Sequence, residues 1–208
     1  MSGGGSTGSG PTEAAIAALL AGRTVILPTD TVYGLCSLAA REAVEELYRV
    51  KGRRPQQPTA LVAGSVEALL AAVPELHGGA EAVARALLPG PFTLILPNPA
   101  RRYPWLTGTT PEAIGVRVPR FPAAAAAVVE RVGAIVATSA NLPGGADPRR
   151  LEDVPAELRA RVAAAVDVGE LPGTPSTVLD LTGPEPRVLR EGAVPAAEAV
   201  DRARRALR

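Results

Sequence analysis

The residues best suited to chemistry in this 208-residue chain are a few cations and hydroxyls placed where short apolar runs end. Lys51-Gly52-Arg53-Arg54-Pro55 packs three cations around one glycine, a composition that lets phosphate oxygens approach closely. A solvated charged loop is the plainer alternative. Arg117 sits between Val116 and Val118. In an extended segment it faces away from both valines, so it needs an anion or a wet cleft. Thr138-Ser139-Ala140-Asn141 ends a β-prone run, where ligands of open α/β sheets bind. Thr31 lies just after another such run, Ser176-Thr177 opens a third and Arg190 closes a fourth. Together they suit a polyphosphate plus a carboxylate. No histidine base or covalent nucleophile stands among them. That favours chemistry by positioning and charge neutralisation.

Composition narrows the field. The net charge of +1 gives no whole-chain electrostatic case for a nucleic-acid or membrane partner, so an anion site has to be local. The single cysteine, Cys36, allows no internal disulfide, which favours a reducing compartment and a cytoplasmic location. It follows an apolar stretch and reads as a small buried residue. One histidine and one cysteine argue against a zinc site, and no metal-ligating set is expected. His77, beside Gly78-Gly79, reads as a solvated loop residue. There is no P-loop, no dinucleotide-binding glycine fingerprint and no apolar run of roughly 18 residues. Lys51 is the only lysine among 22 basic residues. Either codon bias missed one position, or this position needs a compact ammonium where a planar guanidinium does not fit.

The elements that must hold these residues follow from pattern. Residues 1–11 read as a flexible Gly/Ser-rich tail and 12–208 as one domain. Helices are predicted over 11–21 with Thr12 as cap, 41–50, 65–72 capped by Ser65, 80–88, 123–131, 155–165 and 195–207. Strands are predicted over 24–27, 60–63, 92–96, 114–118, 134–137, 177–181 and 187–189. Residues 28–35 read as a capped turn entering a helix unless they carry a site. Some connections are too short for parallel crossovers, so the fold class is α/β with a mixed parallel and antiparallel open sheet flanked by helices.

At this level the motifs resemble a known family. PTDTVYGL (28–35), KGR (51–53), LPGPFT (88–93), GVRVP (115–119), TSANL (138–142), STVLDL (176–181) and VLREG (188–192) occur in the order found in YrdC-type threonylcarbamoyl-AMP synthases, in their short single-domain form. The resemblance spans roughly residues 12–194. It implies a sheet curved around a basic cavity. It also implies synthesis of threonylcarbamoyl-AMP from L-threonine, bicarbonate or CO2 and ATP, with release of pyrophosphate. Partner transferase proteins would then modify adenosine 37 of tRNA, with transient tRNA contact.

By motif, Thr31, Arg117 and Ser176 would contact threonine. Lys51, Arg53, Ser139, Asn141 and Arg190 would hold ATP, with Lys51 and Arg53 the catalytic cations and Mg2+ arriving with the nucleotide. Two departures stand out. The motif's usual KxRP reads KGRRP, where spacing to Pro58 favours Arg53 over Arg54, and Leu142-Pro143-Gly144-Gly145 replaces a Ser-Gly pair. An RNA-binding module using the same basic surface is the competing reading. A carbamoyl-transfer domain of the hydrogenase-maturation type is a third.

Overall fold

The computed structural model describes residues 10–54 and 56–208. Most of the expected N-terminal tail, residues 1–9, lies outside the described residues. The chain runs α1 (Pro11–Leu20), β1 (Val25–Pro28), β2 (Tyr33–Leu38), α2 (Arg41–Lys51), β3 (Ala60–Val62), α3 (Val66–Ala72), α4 (Gly79–Leu87), β4 (Phe92–Pro97) and β5 (Ala113–Arg117). It continues through α5 (Ala123–Val132), β6 (Ile135–Ser139), a 3-10 turn (Leu151–Asp153), α6 (Ala156–Arg159), β7 (Ala164–Ala165), β8 (Thr177–Asp180), β9 (Arg187–Arg190) and α7 (Ala196–Ala206).

The strands form one nine-stranded sheet in the order β7-β1-β2-β6-β3-β5-β4-β8-β9. The pairs β1–β7, β3–β5 and β4–β8 are parallel. The pairs β1–β2, β2–β6, β3–β6, β4–β5 and β8–β9 are antiparallel. This is the mixed α/β sheet that the short connections imply.

Burial explains where the site can be. On one face α1 and α5 cover one half of the sheet: Ile16, Leu19, Val128 and Val129 pack on Val25, Leu27, Cys36, Val62 and Ile135. The opposite face is covered along its length by the larger apolar cluster, which includes Leu47, Leu69, Val83, Leu94, Leu96, Ile114 and Val116. Each such side chain contributes roughly 1.5–3 kcal/mol when fully buried. Beyond Val62 this face carries a cavity, lined by Ala60 of β3, Thr93 and Ile95 of β4, Gly115 and Arg117 of β5, Val178 of β8 and Arg190 of β9. Ala137 marks the border, packing on the α1/α5 cluster while also lining the cavity.

Three sequence expectations are corrected. Thr12 does not cap α1; Gly10 does, and Pro11 occupies the first turn, where a missing N–H costs nothing. Residues 28–35 do not enter a helix. Thr29 Oγ1 accepts from the N–H groups of Thr31 and Val32 and donates to Val32 O at 2.8 Å, closing a turn that returns the chain as β2. That strand is buried on both faces through Ser37, so it lacks the alternation that marks half-exposed strands. Residues 155–165 are not one helix. α6 stops after one turn, Arg161 donates to Val50 O and Arg49 O, and Ala163 N–H pairs with Thr24 O as the chain becomes the edge strand β7. Ser65 does cap α3, its hydroxyl accepting from Ala68 N–H at 3.1 Å. Cys36 is fully buried, and burial pushes its thiol up to about 12, while His77 lies exposed in a loop.

Candidate active site

The uncovered sheet face carries a cavity of about 490 Å³. Its floor is small or β-branched: Ala60, Thr93, Ile95, Gly115, Ala137 and Val178. β5 shows why. Ile114 and Val116 are buried in the apolar layer, while Ala113, Gly115 and Arg117 alternate onto the cavity side. The charged lining is Arg53, Arg117 and Arg190 against Asp147 and Asp180.

Arg117 ends β5 with its side chain nearly enclosed. Its Nη2 donates to Asp30 Oδ1 and Thr31 Oγ1, both at 3.3 Å. Its Nε is buried and has no hydrogen-bond partner among the described residues. An unmade hydrogen bond on a buried charged group is costly, so this guanidinium is built to receive an acceptor. Burial lowers its pKa, Asp30 opposes that, and Arg190 adds to it.

Ser176 and Arg190 form the next wall. Arg190 donates to Ser176 O from Nη2 at 2.8 Å and to Ser176 Oγ at 3.2 Å. A bulge between Val178 and Leu179 shifts the β8–β9 register, and Leu189 and Arg190 both line the cavity. Gly192 makes this packing possible, since a Cβ there would lie 2.2 Å from Pro175 O. Ser176 Oγ also shares a 2.8 Å hydrogen bond with Thr93 Oγ1.

Arg53 leaves the α2 C-terminus after Gly52, whose φ of 69° provides the left-handed stop. Its Nη1 donates to Thr138 Oγ1 at 3.1 Å and its Nη2 to Pro58 O, while its buried Nε has no hydrogen-bond partner among the described residues. Burial lowers its pKa as well.

Lys51 behaves differently. It is buried, and its Nζ donates to Ser139 O at 2.7 Å, to Asn141 O and to Asn141 Oδ1. Three donors meet three oxygens, and Lys51 is not among the cavity-lining residues. Burial pushes the ammonium down to about 8, with Arg53 adding to the effect and Asp147 opposing it. Asn141 also stays off the lining. It accepts from Ser139 Oγ at 2.8 Å and donates to Gly145 O at 2.7 Å and to Asp147 Oδ1 at 3.2 Å.

Of the residues singled out in the sequence, Thr31, Arg53, Arg117, Ser139, Ser176 and Arg190 therefore line one cavity. Lys51 and Asn141 stand behind it and hold the 139–141 turn. Thr93, Asp147 and Asp180 also line it and were not singled out. Thr93 had a signal, since it ends LPGPFT and alternates with the apolar Phe92 and Leu94. Asp147 had none, lying six residues beyond Asn141 in an irregular loop. Among the described residues no group of three or more His, Cys, Asp or Glu could hold a metal ion, and no helix is long and apolar enough to cross a membrane.

Residues 17–192 match the Sua5_yciO_yrdC family model, described as "Telomere recombination". The chain belongs to this family. A putative threonylcarbamoyl-AMP synthase of Mycobacterium tuberculosis is 35% identical over 182 residues, covering 86% of this chain and 83% of the relative. The crystal structure of Pyrococcus abyssi Sua5 complexed with L-threonine superposes with a TM-score of 0.80 at 30% identity, over 92% of this chain but 56% of that one. The crystal structure of Escherichia coli YciO superposes with a TM-score of 0.77 at 26% identity, over 91% of this chain and 92% of that one. The chain thus spans most of the mycobacterial relative and about half of the P. abyssi protein. These Sua5 and YciO structures share the single α/β domain described above.

Proposed function

We propose that the protein is a threonylcarbamoyl-AMP synthase. The observation that carries the reading is Arg117. It is a buried guanidinium with an unpartnered Nε, set between Thr31 and Arg190–Ser176 in the cavity that Arg53 and Ser139 also line. Relatives bearing that name and a neighbour complexed with L-threonine support it.

The chemistry fits the geometry. The amine of threonine takes up CO2, or bicarbonate with loss of water, to give a carbamate. One carbamate oxygen then attacks the α-phosphorus of ATP, and pyrophosphate leaves. Both partners are anions, so the barrier contains their repulsion. Fixed cations that need no reorganisation lower it. Arg117 takes the threonine carboxylate, with the Thr31 and Ser176 hydroxyls beside it. Arg53 and Arg190 face the phosphates, and the Ser139 hydroxyl adds a polar contact. Lys51 and Asn141 shape the turn that presents Ser139. Mg2+ enters as part of the Mg–ATP substrate and supplies charge neutralisation on the phosphates. Three lining arginines against two aspartates support a basic cavity. The product adenylate would be consumed by proteins that transfer its threonylcarbamoyl group to adenosine 37 of tRNA, and the chain would act in the cytoplasm.

Purified protein is expected to release pyrophosphate from ATP only when L-threonine and bicarbonate are both present, as measured by a coupled phosphate assay. Equal release with threonine omitted would sink the synthase reading. Salt-sensitive RNA binding without any ATP turnover would favour an RNA-binding module instead.

A further inference from the structure

Asp30 lies near the anion site, and unlike Asp147 and Asp180 it does not line the cavity. It lies in the turn between β1 and β2, with a side chain 10% exposed against 12% for Arg117. Its two oxygens are used separately. Oδ1 accepts from Arg117 Nη2 at 3.3 Å, and Oδ2 accepts from Arg120 N–H at 3.1 Å. The carboxylate therefore ties the β1–β2 turn to the segment between β5 and α5, directly behind the arginine. Thr31, the next residue, receives the same Nη2 at 3.3 Å. One nitrogen of the guanidinium is thus fixed, and the buried Nε has no hydrogen-bond partner among the described residues.

Charge explains why a carboxylate stands there. Arg117 and Arg190 share one cavity and repel each other before any anion arrives. A buried guanidinium with no counter-charge would turn away or draw in an adventitious anion. A carboxylate in front of Arg117 would compete with the substrate; one behind it compensates the charge and leaves the cavity side free. A single 3.3 Å contact orients the group without saturating its donors.

We infer that Asp30 is a positioning residue for substrate carboxylate capture: it holds Arg117 through Nη2, from outside the cavity lining, so that the guanidinium stays in place in the cavity wall. This rests on the synthase reading, with L-threonine as the ligand of Arg117. Asp30 itself touches no substrate.

The test is a double-mutant cycle read by equilibrium binding of L-threonine and, separately, of ATP, using calorimetry on the full chain. Asp30→Asn keeps the size and an acceptor while removing the charge. It is expected to weaken threonine binding about tenfold or more, with ATP binding changed less than about twofold. In an Arg117→Lys background the same substitution is expected to cost less than about twofold, because the guanidinium it positions is gone. Equal weakening of threonine and ATP would mark Asp30 as a general structural residue and overturn the inference. So would an undiminished tenfold loss in the Arg117→Lys background, or no loss at all. Should Asp30→Asn fail to fold, Asp30→Ser, a shorter polar side chain, is measured under the same criteria, and a loss of folding in both would also count against a positioning role. If the unaltered protein binds ATP but no threonine, the synthase reading fails and not the Asp30 assignment alone.

Discussion

Replacing Lys51 with alanine is expected to lower threonine-dependent pyrophosphate release on the order of a hundredfold, while the protein stays folded. The reason is the cage around its ammonium. Ser139 O, Asn141 O and Asn141 Oδ1 converge on Nζ. Without the cation these oxygens face one another, and the turn carrying the Ser139 hydroxyl into the cavity opens. Lys51→Arg keeps the charge but not the fit, because a planar fork cannot direct three donors into a compact cage. A loss of roughly tenfold or more is expected there. Arg23→Lys, at an exposed position before β1, should be silent.

The pH dependence separates this from unfolding. With the ammonium lowered to about 8, the cage loses its cation as pH rises through that value, so release should decline on the alkaline side. Stability moves the other way. Between about 8 and the ordinary lysine range the unfolded lysine holds a proton that the folded one has lost. For this group the folded state therefore gains stability as pH rises. A rate that falls while the melting temperature does not is the expected signature, and Lys51→Arg should lack that limb. If Lys51→Arg matches the unaltered protein at every pH, the cage is incidental.

The second large effect concerns Arg117. Arg117→Gln is expected to reduce threonine-dependent pyrophosphate release on the order of a hundredfold to a thousandfold. Arg117→Lys should recover only part of it, since an ammonium cannot grip a carboxylate with two parallel donors. Both should raise the KM for threonine far more than the KM for ATP. Arg117→Gln also leaves Asp30, a nearly enclosed carboxylate, with only the Arg120 N–H as partner among the described residues, so some loss of melting temperature accompanies it. A variant with unchanged threonine KM would remove Arg117 from the substrate site.

Much of this arrangement is legible in the sequence, for definite reasons. Arg117 stands out because the valines on either side want burial and a guanidinium does not. The strict alternation of β5 then puts it over the cavity. Thr31, Ser139, Ser176 and Arg190 stand out because they end or open strands. Lys51 stands out by residue type, but its role is not readable, since nothing local says that its partners are carbonyls 88 and 90 positions away. β2 is hidden because a strand buried on both faces has no period. β7 is hidden because its alanines favour helix over strand, and the deciding interaction is Ala163 N–H reaching back to Thr24 O. Asp30 sits in a quoted motif, yet only the fold brings Arg117 and Arg120 to it.

The most direct measurement is to incubate the full chain with Mg–ATP, L-threonine and 13C-bicarbonate and follow the nucleotide products by mass spectrometry. The synthase reading predicts a threonylcarbamoyl-adenylate carrying one labelled carbon, formed in step with pyrophosphate and absent when any one substrate is withheld. ATP consumed without a labelled adenylate, or an adenylate formed equally well without bicarbonate, would contradict it.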